Sequence, residues 1–338
     1  MSTRHRSSII LPALSLLITL ALLLAACGSG GAATTTSGAS SSTAKLKNVS
    51  IGLGYIPDVQ FAPFYVAKSK GYYTAAGLNV TFIHGIVPDL IGSLVAGKSN
   101  FVFAGGDEML TARDKGAKVV DVATIFQKYP VSLIVPADSP IKSLADLKGH
   151  TVGVPGAYGS TYTGLLALLY SAHLSLSDIK VQSIGFTQVP ALMARRVDAV
   201  MGYSNNEPLQ LRAHGFAVRT FDVSDYQPLV SNGIVTTEVV VHDQDNIVKA
   251  FVQATLKGLS DVIANPAEAL QISKSYIPGM NETSSMAELQ ATIPIWKGTG
   301  QHPLGYNDSA TWQAMAQFLV GQKLIPTSLD VSKAFVSA

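Results

Sequence analysis

Val49-Ser50-Ile51-Gly52-Leu53-Gly54-Tyr55-Ile56-Pro57-Asp58-Val59-Gln60-Phe61-Ala62-Pro63-Phe64-Tyr65-Val66-Ala67-Lys68-Ser69-Lys70-Gly71 is the stretch that decides the fold. Its first five residues are a short β-branched and apolar run that reads as a strand, and Pro63 to Lys70 read as a helix stopped by Gly71. The pattern continues outward. Val80 to Ile83 is a strand, Leu90 to Ala96 a helix, Phe101 to Phe103 a strand, Glu108 to Lys115 a helix and Val119 to Ile125 a strand. Such alternation predicts an α/β fold.

The same order recurs further along. Leu94 to Lys98 precede Phe101 to Ala104, a Gly-Gly turn and Asp107-Glu108 opening a helix that stops at Lys115-Gly116. Leu192 to Arg196 precede Val197 to Met201, the turn Gly202 to Asn206, and Glu207-Pro208 opening a helix that stops at His214-Gly215. Two similarly built halves predict two lobes. Val131 to Val135 reads as a strand leaving the first lobe and Ile234 to Val241 as the strand returning, which gives lobe 1 residues 46–136 plus 234–338 and lobe 2 residues 137–233. Two connecting strands make a hinge, and ligands favour the cleft at the carboxyl ends of the strands.

Of the 338 residues, 47% are hydrophobic and 14% charged, ample for real cores, and 24 Lys+Arg against 22 Asp+Glu leave no basic stripe for nucleic acid. Arg4 and Arg6 account for the whole positive excess. They precede an apolar run, Ile9 to Leu24, too short and interrupted for a membrane span and suited to a secretory signal over residues 1–26. The run ends Leu24-Ala25-Ala26-Cys27-Gly28, which resembles the bacterial lipobox. That resemblance implies a lipoprotein whose only Cys, Cys27, carries the lipid (palmitate or a similar acyl chain) on the outer face of the bacterial cell membrane. Residues 28–44 contain only Gly, Ala, Ser and Thr. They complete a flexible tether over 27–45 with a reach of roughly 20–25 Å.

Ile51 to Asp58, Phe64 to Ala67, Lys70 to Tyr73 and Ala76 to Val80 together resemble the opening of periplasmic-type substrate-binding proteins of the thiamine-pyrimidine and sulfonate superfamily. Leu144 to Gly149 before Val152 to Val154, Val197 to Val200, and Gly202-Tyr203 before Asn206 to Pro208 extend the match. The resemblance implies a two-lobed, type II periplasmic-binding-protein fold, each lobe a mixed sheet flanked by helices. It also implies a receptor that closes on a small solute and delivers it to an ABC permease and its ATPase, without enzymatic activity or a cofactor.

Ligand chemistry then falls to the loops at the strand ends. Their charges are all acids, Asp58, Asp89, Asp107, Glu108 and Glu207, with His84 the nearest base. A buried anion demands Arg, Lys or a run of backbone donors, so nitrate, phosphate and sulfonate are disfavoured. Tyr55, Phe61, Phe64, Tyr158 and Tyr203 offer aromatic faces, and Asp58, Asn205, Asn206 and Glu207 offer acceptors and amides. A flat, uncharged heterocycle suits this set. Asp58, Ser160, Thr161 and Asn205 would serve a hydroxylated chain. Phe64 also fits the core face of the first helix, Glu207 a first-turn acid and Asp107 an N-cap.

Members that bind the thiamine pyrimidine usually carry Trp near Tyr55, Asn at Asp58 and His at Phe61, and this sequence departs at all three. Riboflavin-binding lipoproteins of the superfamily are similar in this opening, which places riboflavin first and a hydroxymethylpyrimidine or formylaminopyrimidine second. The pyrimidine-synthase relatives depend on a Cys-rich motif, and no Cys follows Cys27. Gly202-Tyr203-Ser204-Asn205-Asn206 lacks the closing Gly of a hydrolase elbow, and none of the seven His has a partner at metal-ligand spacing. A surface adhesin would need neither paired lobes nor aromatic, acidic loops. Residues 247–264 form an amphipathic helix, Trp296 and Trp312 are expected to pack the C-terminal region, and the loop 297–306 lies within reach of the cleft.

Overall fold

The computed structural model describes residues 45–326 and 329–336, so the signal segment, Cys27 and all but the last residue of the tether lie outside the described residues. In chain order the elements are β1 (Lys47–Leu53), α1 (Ala62–Ser69), α2 (Tyr72–Ala75), β2 (Leu78–His84), α3 (Val87–Val95), β3 (Phe101–Gly105), α4 (Gly106–Asp114), β4 (Val119–Thr124) and β5 (Val131–Pro136). There follow β6 (Thr151–Val154), α5 (Gly159–Ser171), β7 (Lys180–Ser183), α6 (Gln188–Met193), β8 (Ala199–Tyr203), α7 (Glu207–Ala213), β9 (Val218–Asp222) and β10 (Asn232–Thr237). The chain closes with α8 (Glu238–Asp243), α9 (Asp245–Ala264), α10 (Pro266–Ser273), α11 (Glu282–Lys297) and α12 (Ser309–Gly321).

These strands form two five-stranded sheets, ordered β2-β1-β3-β10-β4 and β7-β6-β8-β5-β9. Each has three parallel strands followed by an antiparallel one. β3 and β8, the strands singled out by the sequence repeat, occupy the same third place in their sheets. The antiparallel strand of each sheet comes from beyond a crossing: β5 follows β4 into the second sheet, and β10 follows β9 back into the first.

Two sequence expectations change here. Val131–Pro136 pairs with β8 and β9, so it belongs to the second sheet, and the chain leaves the first sheet over residues 125–130. The returning strand stops at Thr237, where the Thr237 side chain accepts from the Val240 N–H at 3.2 Å and caps α8. That cap, with Glu238 in the first turn, turns Val239 to Val241 into helix despite their β-branched side chains.

β1 and β3 are buried along their apolar runs, as strands covered on both faces must be. α1 and α9 cover the first sheet. Their close approach depends on Gly258, where a Cβ would stand 2.3 Å from the Pro63 carbonyl oxygen. Phe251 of α9 stacks on Phe101 of β3, ring centroids 4.2 Å apart, and on Tyr73 at 5.2 Å. Trp296 and Trp312 are both fully buried, and the loop 297–306 meets the first sheet where Gly305 bridges Thr124 at the end of β4, with the Tyr306 carbonyl accepting from Gln127 Nε2 of the crossing at 3.1 Å. Among the described residues no helix is long and apolar enough to cross a membrane.

Two glycines on helices predict opposite outcomes. Gly258→Ala forces α1 and α9 apart and should destabilise by about 1–3 kcal/mol. Gly92→Ala, on α3 where a Cβ meets nothing within 4 Å, should stabilise by roughly 0.5–1 kcal/mol. Denaturant unfolding of the two variants checks both signs, and equal effects would refute the close-approach argument.

Candidate functional site

Six parallel strands end at one cavity. Gly54 and Tyr55 follow β1, Ile86 and Val87 follow β2, and Glu108 follows β3; from the second sheet come Pro155 to Thr161 after β6, Phe186 and Gln188 after β7, and Asn206 and Glu207 after β8. The edge where parallel strands end is where α/β folds hold ligands. Asn232, at the start of antiparallel β10, meets the same edge. The cavity encloses about 80 Å³.

Local structure aims each wall. The Asp58 carboxylate accepts from the Gln60 N–H at 2.9 Å and caps a single helical turn, Val59–Phe61, which presents Gln60 and Phe61 to the cavity before Pro63 opens α1. Phe61 packs edge-on against Phe103 and His84. The His84 ring bonds the Tyr55 carbonyl at 3.0 Å, and burial lowers its pKa, so it stands neutral. Tyr55, from the first half, meets Phe186, from the second, edge to face with centroids 5.0 Å apart. Both rings line the cavity, so the contact joins the two halves at its wall.

On the opposite wall Gly159 opens α5 with a left-handed φ of 74°, and a Cβ there would stand 2.9 Å from Glu108 Oε1. Any other residue would be both strained and in the way of the carboxylate. Glu207 folds back to accept the Tyr203 N–H at 2.7 Å. Tyr203 in turn donates its hydroxyl to Asn232 Oδ1 at 3.2 Å, joining the two sheets. Ser160 donates to Asp107 Oδ1 at 2.9 Å and its carbonyl accepts the Tyr129 hydroxyl at 2.8 Å.

Of the twelve side chains named from sequence as ligand contacts, eight line this cavity: Tyr55, Phe61, Tyr158, Ser160, Thr161, Tyr203, Asn206 and Glu207. Four do not. Phe64 is 0% exposed and packs edge-on beneath Phe103, a core residue of α1. Asn205 is equally buried and donates to Thr292 Oγ1 of α11 at 2.8 Å, a strut between the halves. Asp58 serves its helical turn and lies against Glu288 of α11, whose pKa is held well above the carboxylate range by burial and then by Asp58's charge. Asp107 faces a second, neighbouring cavity.

Sequence reading missed Gln60, Val87, Phe103, Phe186, Gln188 and Asn232. Phe186 carried a usable signal, an aromatic alone between Gly185 and Thr187. No Lys, Arg or His lines the cavity among the described residues, and no group of His, Cys, Asp and Glu there is placed to hold a metal ion. Tyrosine and phenylalanine rings with Asn, Gln and carboxyl groups between them can hold a flat, neutral ring by stacking and by hydrogen bonds around its edge.

Burial drives the acids of the site upward. Glu207 rises to about 7, against the Tyr203 N–H that favours its ionised form. Glu108 rises to about 8, through burial and then the charge of Asp107; outside the site, burial lifts Asp121 to about 7. Each folded pKa exceeds the unfolded value near 4, so stability from these groups is complete below pH 4 and is lost as pH rises through 7–8. Urea midpoints are expected to fall between pH 5 and pH 8. Glu207→Gln should flatten that fall by up to roughly 3 kcal/mol; an unaltered slope would show that Glu207 is not the source.

The chain matches the family model described as NMT1/THI5 like over residues 58–269. It is 36% identical over 300 residues to the riboflavin-binding protein RibY of Chloroflexus aurantiacus, covering 86% of each chain. It is 27% identical over 305 residues to the formylaminopyrimidine-binding protein of Halalkalibacterium halodurans, covering 86% of this chain and 90% of that one. Its fold superposes on the alkanesulfonate-binding protein SsuA of Xanthomonas axonopodis pv. citri, bound to MOPS, with a TM-score of 0.70 at 18% identity, over 86% of this chain and 98% of the other. The fold is that of the periplasmic binding proteins, and the chain belongs to the NMT1/THI5-like family.

Proposed function

We propose that this protein is the extracytoplasmic receptor of an ABC-type importer and that its ligand is riboflavin. The observation that carries the reading is the composition of the cavity wall: six tyrosine or phenylalanine rings (Tyr55, Phe61, Phe103, Tyr158, Phe186, Tyr203), carboxyl and amide groups between them, and no cationic side chain among its described residues. Such a wall offers nothing to neutralise a sulfonate. It suits a neutral heteroaromatic system whose ring N–H and carbonyl groups meet Glu207, Asn206, Gln60 and Gln188. The likeness to RibY supports the same choice.

In this reading the two sheets with their helices close on the vitamin, bending over the crossings at 125–130 and 223–231. Cys27 carries a lipid, the Gly/Ala/Ser/Thr tether spans to the membrane surface, and the permease with its ATPase receives the ligand. One observation favours a second reading: about 80 Å³ is room for a single ring, and the formylaminopyrimidine-binding relative supports a pyrimidine. The riboflavin-binding and formylaminopyrimidine-binding relatives support binding rather than catalysis.

Titrating the purified protein against riboflavin should quench flavin fluorescence, and Tyr203→Ala should weaken binding about tenfold, the equivalent of ~1.4 kcal/mol. Absent quenching, together with tight binding of a formylaminopyrimidine, would reverse the order of the two ligands. Cys27→Ala should release the protein from the membrane fraction of cells expressing it; retention there would refute lipid anchoring at Cys27.

A further inference from the structure

Beyond the aromatic cavity lies a larger chamber. It encloses about 520 Å³ between α3, α4, the start of α5 and Leu324, and shares Val87, Glu108, Tyr158 and Gly159 with the first cavity. Its walls are mixed. Ile91, Val95 and Tyr162 give apolar surface, while Asp107, Thr111 and Thr163 bring oxygen atoms.

Asp107 is the informative member. It is 1% exposed, and although Oδ1 takes the Ser160 hydroxyl and the Thr163 hydroxyl stands close to the carboxyl, Oδ2 receives no hydrogen bond of good geometry among the described residues. A buried carboxylate oxygen without a donor is a rare and costly arrangement, and a ligand hydroxyl entering the chamber would supply the donor. Size points the same way. Sites for molecules of vitamin size enclose roughly 300–1,000 Å³, which the aromatic cavity does not reach alone and the chamber does.

Building on the riboflavin reading, we infer that the two cavities form one bipartite site: the planar ring occupies the aromatic cavity, and its hydroxylated chain passes Glu108, Tyr158 and Gly159 into the chamber, where Asp107 Oδ2 accepts from it. The chamber thereby selects for ligands that carry a flexible, donor-rich chain on the ring. Gly159 is the gap in the wall that leaves the passage open, because a side chain there would fall on Glu108.

The test compares riboflavin with lumiflavin, the same ring bearing a methyl group in place of the chain. The full chain should bind riboflavin at least tenfold more tightly. Gly92→Leu, placed on the chamber wall where a new side chain meets open space and where leucine favours the helix, should weaken riboflavin tenfold or more and leave lumiflavin within twofold. Asp107→Asn, nearly isosteric, should lower the riboflavin preference in the same direction.

Equal binding of the two flavins by the unaltered protein, or a preference that survives both substitutions, would overturn the bipartite site while leaving the riboflavin reading intact. Equal weakening of both flavins by Gly92→Leu would place the ring itself in the chamber and also overturn it. Binding of a formylaminopyrimidine with neither flavin bound would instead overturn the riboflavin reading, and the bipartite site with it.

Discussion

The hydrogen bond from Ser160 to Asp107 is the constraint on which the site depends. Ser160 lies in the first turn of α5 beside the second sheet and Asp107 in the first turn of α4 beside the first, so this bond of 2.9 Å ties the two halves together, alongside Tyr203–Asn232 and Asn205–Thr292. Ser160 is held from a second direction, since its carbonyl takes the hydroxyl of Tyr129, which lies on the crossing segment. The aromatic cavity lies on the Ser160 side of the bond and the chamber on the Asp107 side. A buried carboxylate and a buried hydroxyl are each costly without a partner, so the pair locks a geometry that apolar packing alone would leave free to slide.

Around that bond the site is built from acids, and no Lys, Arg or His lines the aromatic cavity among the described residues. Asp107, Glu108, Asp58, Glu288 and Glu207 all have raised pKa values, with burial the first cause in each. Protonated carboxyls donate as well as accept. With the amides of Asn206, Gln60 and Gln188 beside them, the site offers both hydrogen-bond polarities, a match for heterocycles whose edges alternate N–H and carbonyl groups. It also explains why the same fold can serve sulfonate receptors elsewhere: the sheets set the cleft, and the loop side chains set its sign.

Much of this was legible in sequence because the decisive features are local. The strand Val49 to Leu53, the helix after Pro63 and the repeat linking β3 to β8 follow from hydrophobic period and from glycine and proline stops. Loops after buried strands were readable for the same reason, and Tyr55, Tyr158, Tyr203 and Glu207 came with them. β7 was not read, since Lys180–Ser183 is an exposed edge strand with Val181 as its one apolar residue, and the loop carrying Phe186 and Gln188 went unseen with it. Phe64 and Asn205 show the opposite error: their types suit a ligand, but tertiary packing against Phe103 and Thr292 had already engaged them.

What no local pattern could supply is the contribution of α11 and β10. Glu288 and Thr292 lie more than 80 residues from the loops they meet at Asp58 and Asn205, and Asn232 reaches the cleft only because β10 returns to the first sheet in antiparallel register with β3. The crossings were misplaced for a related reason. Val131–Pro136 is a buried apolar strand that either sheet could accept, and its pairing with β8 and β9 is decided by partners 66 residues or more downstream. Once β5 is in the second sheet and β10 in the first, each sheet gains the antiparallel strand that continues a crossing. The cleft between them is therefore spanned by two chain passages, and the Ser160–Asp107 bond separates its aromatic cavity from the chamber.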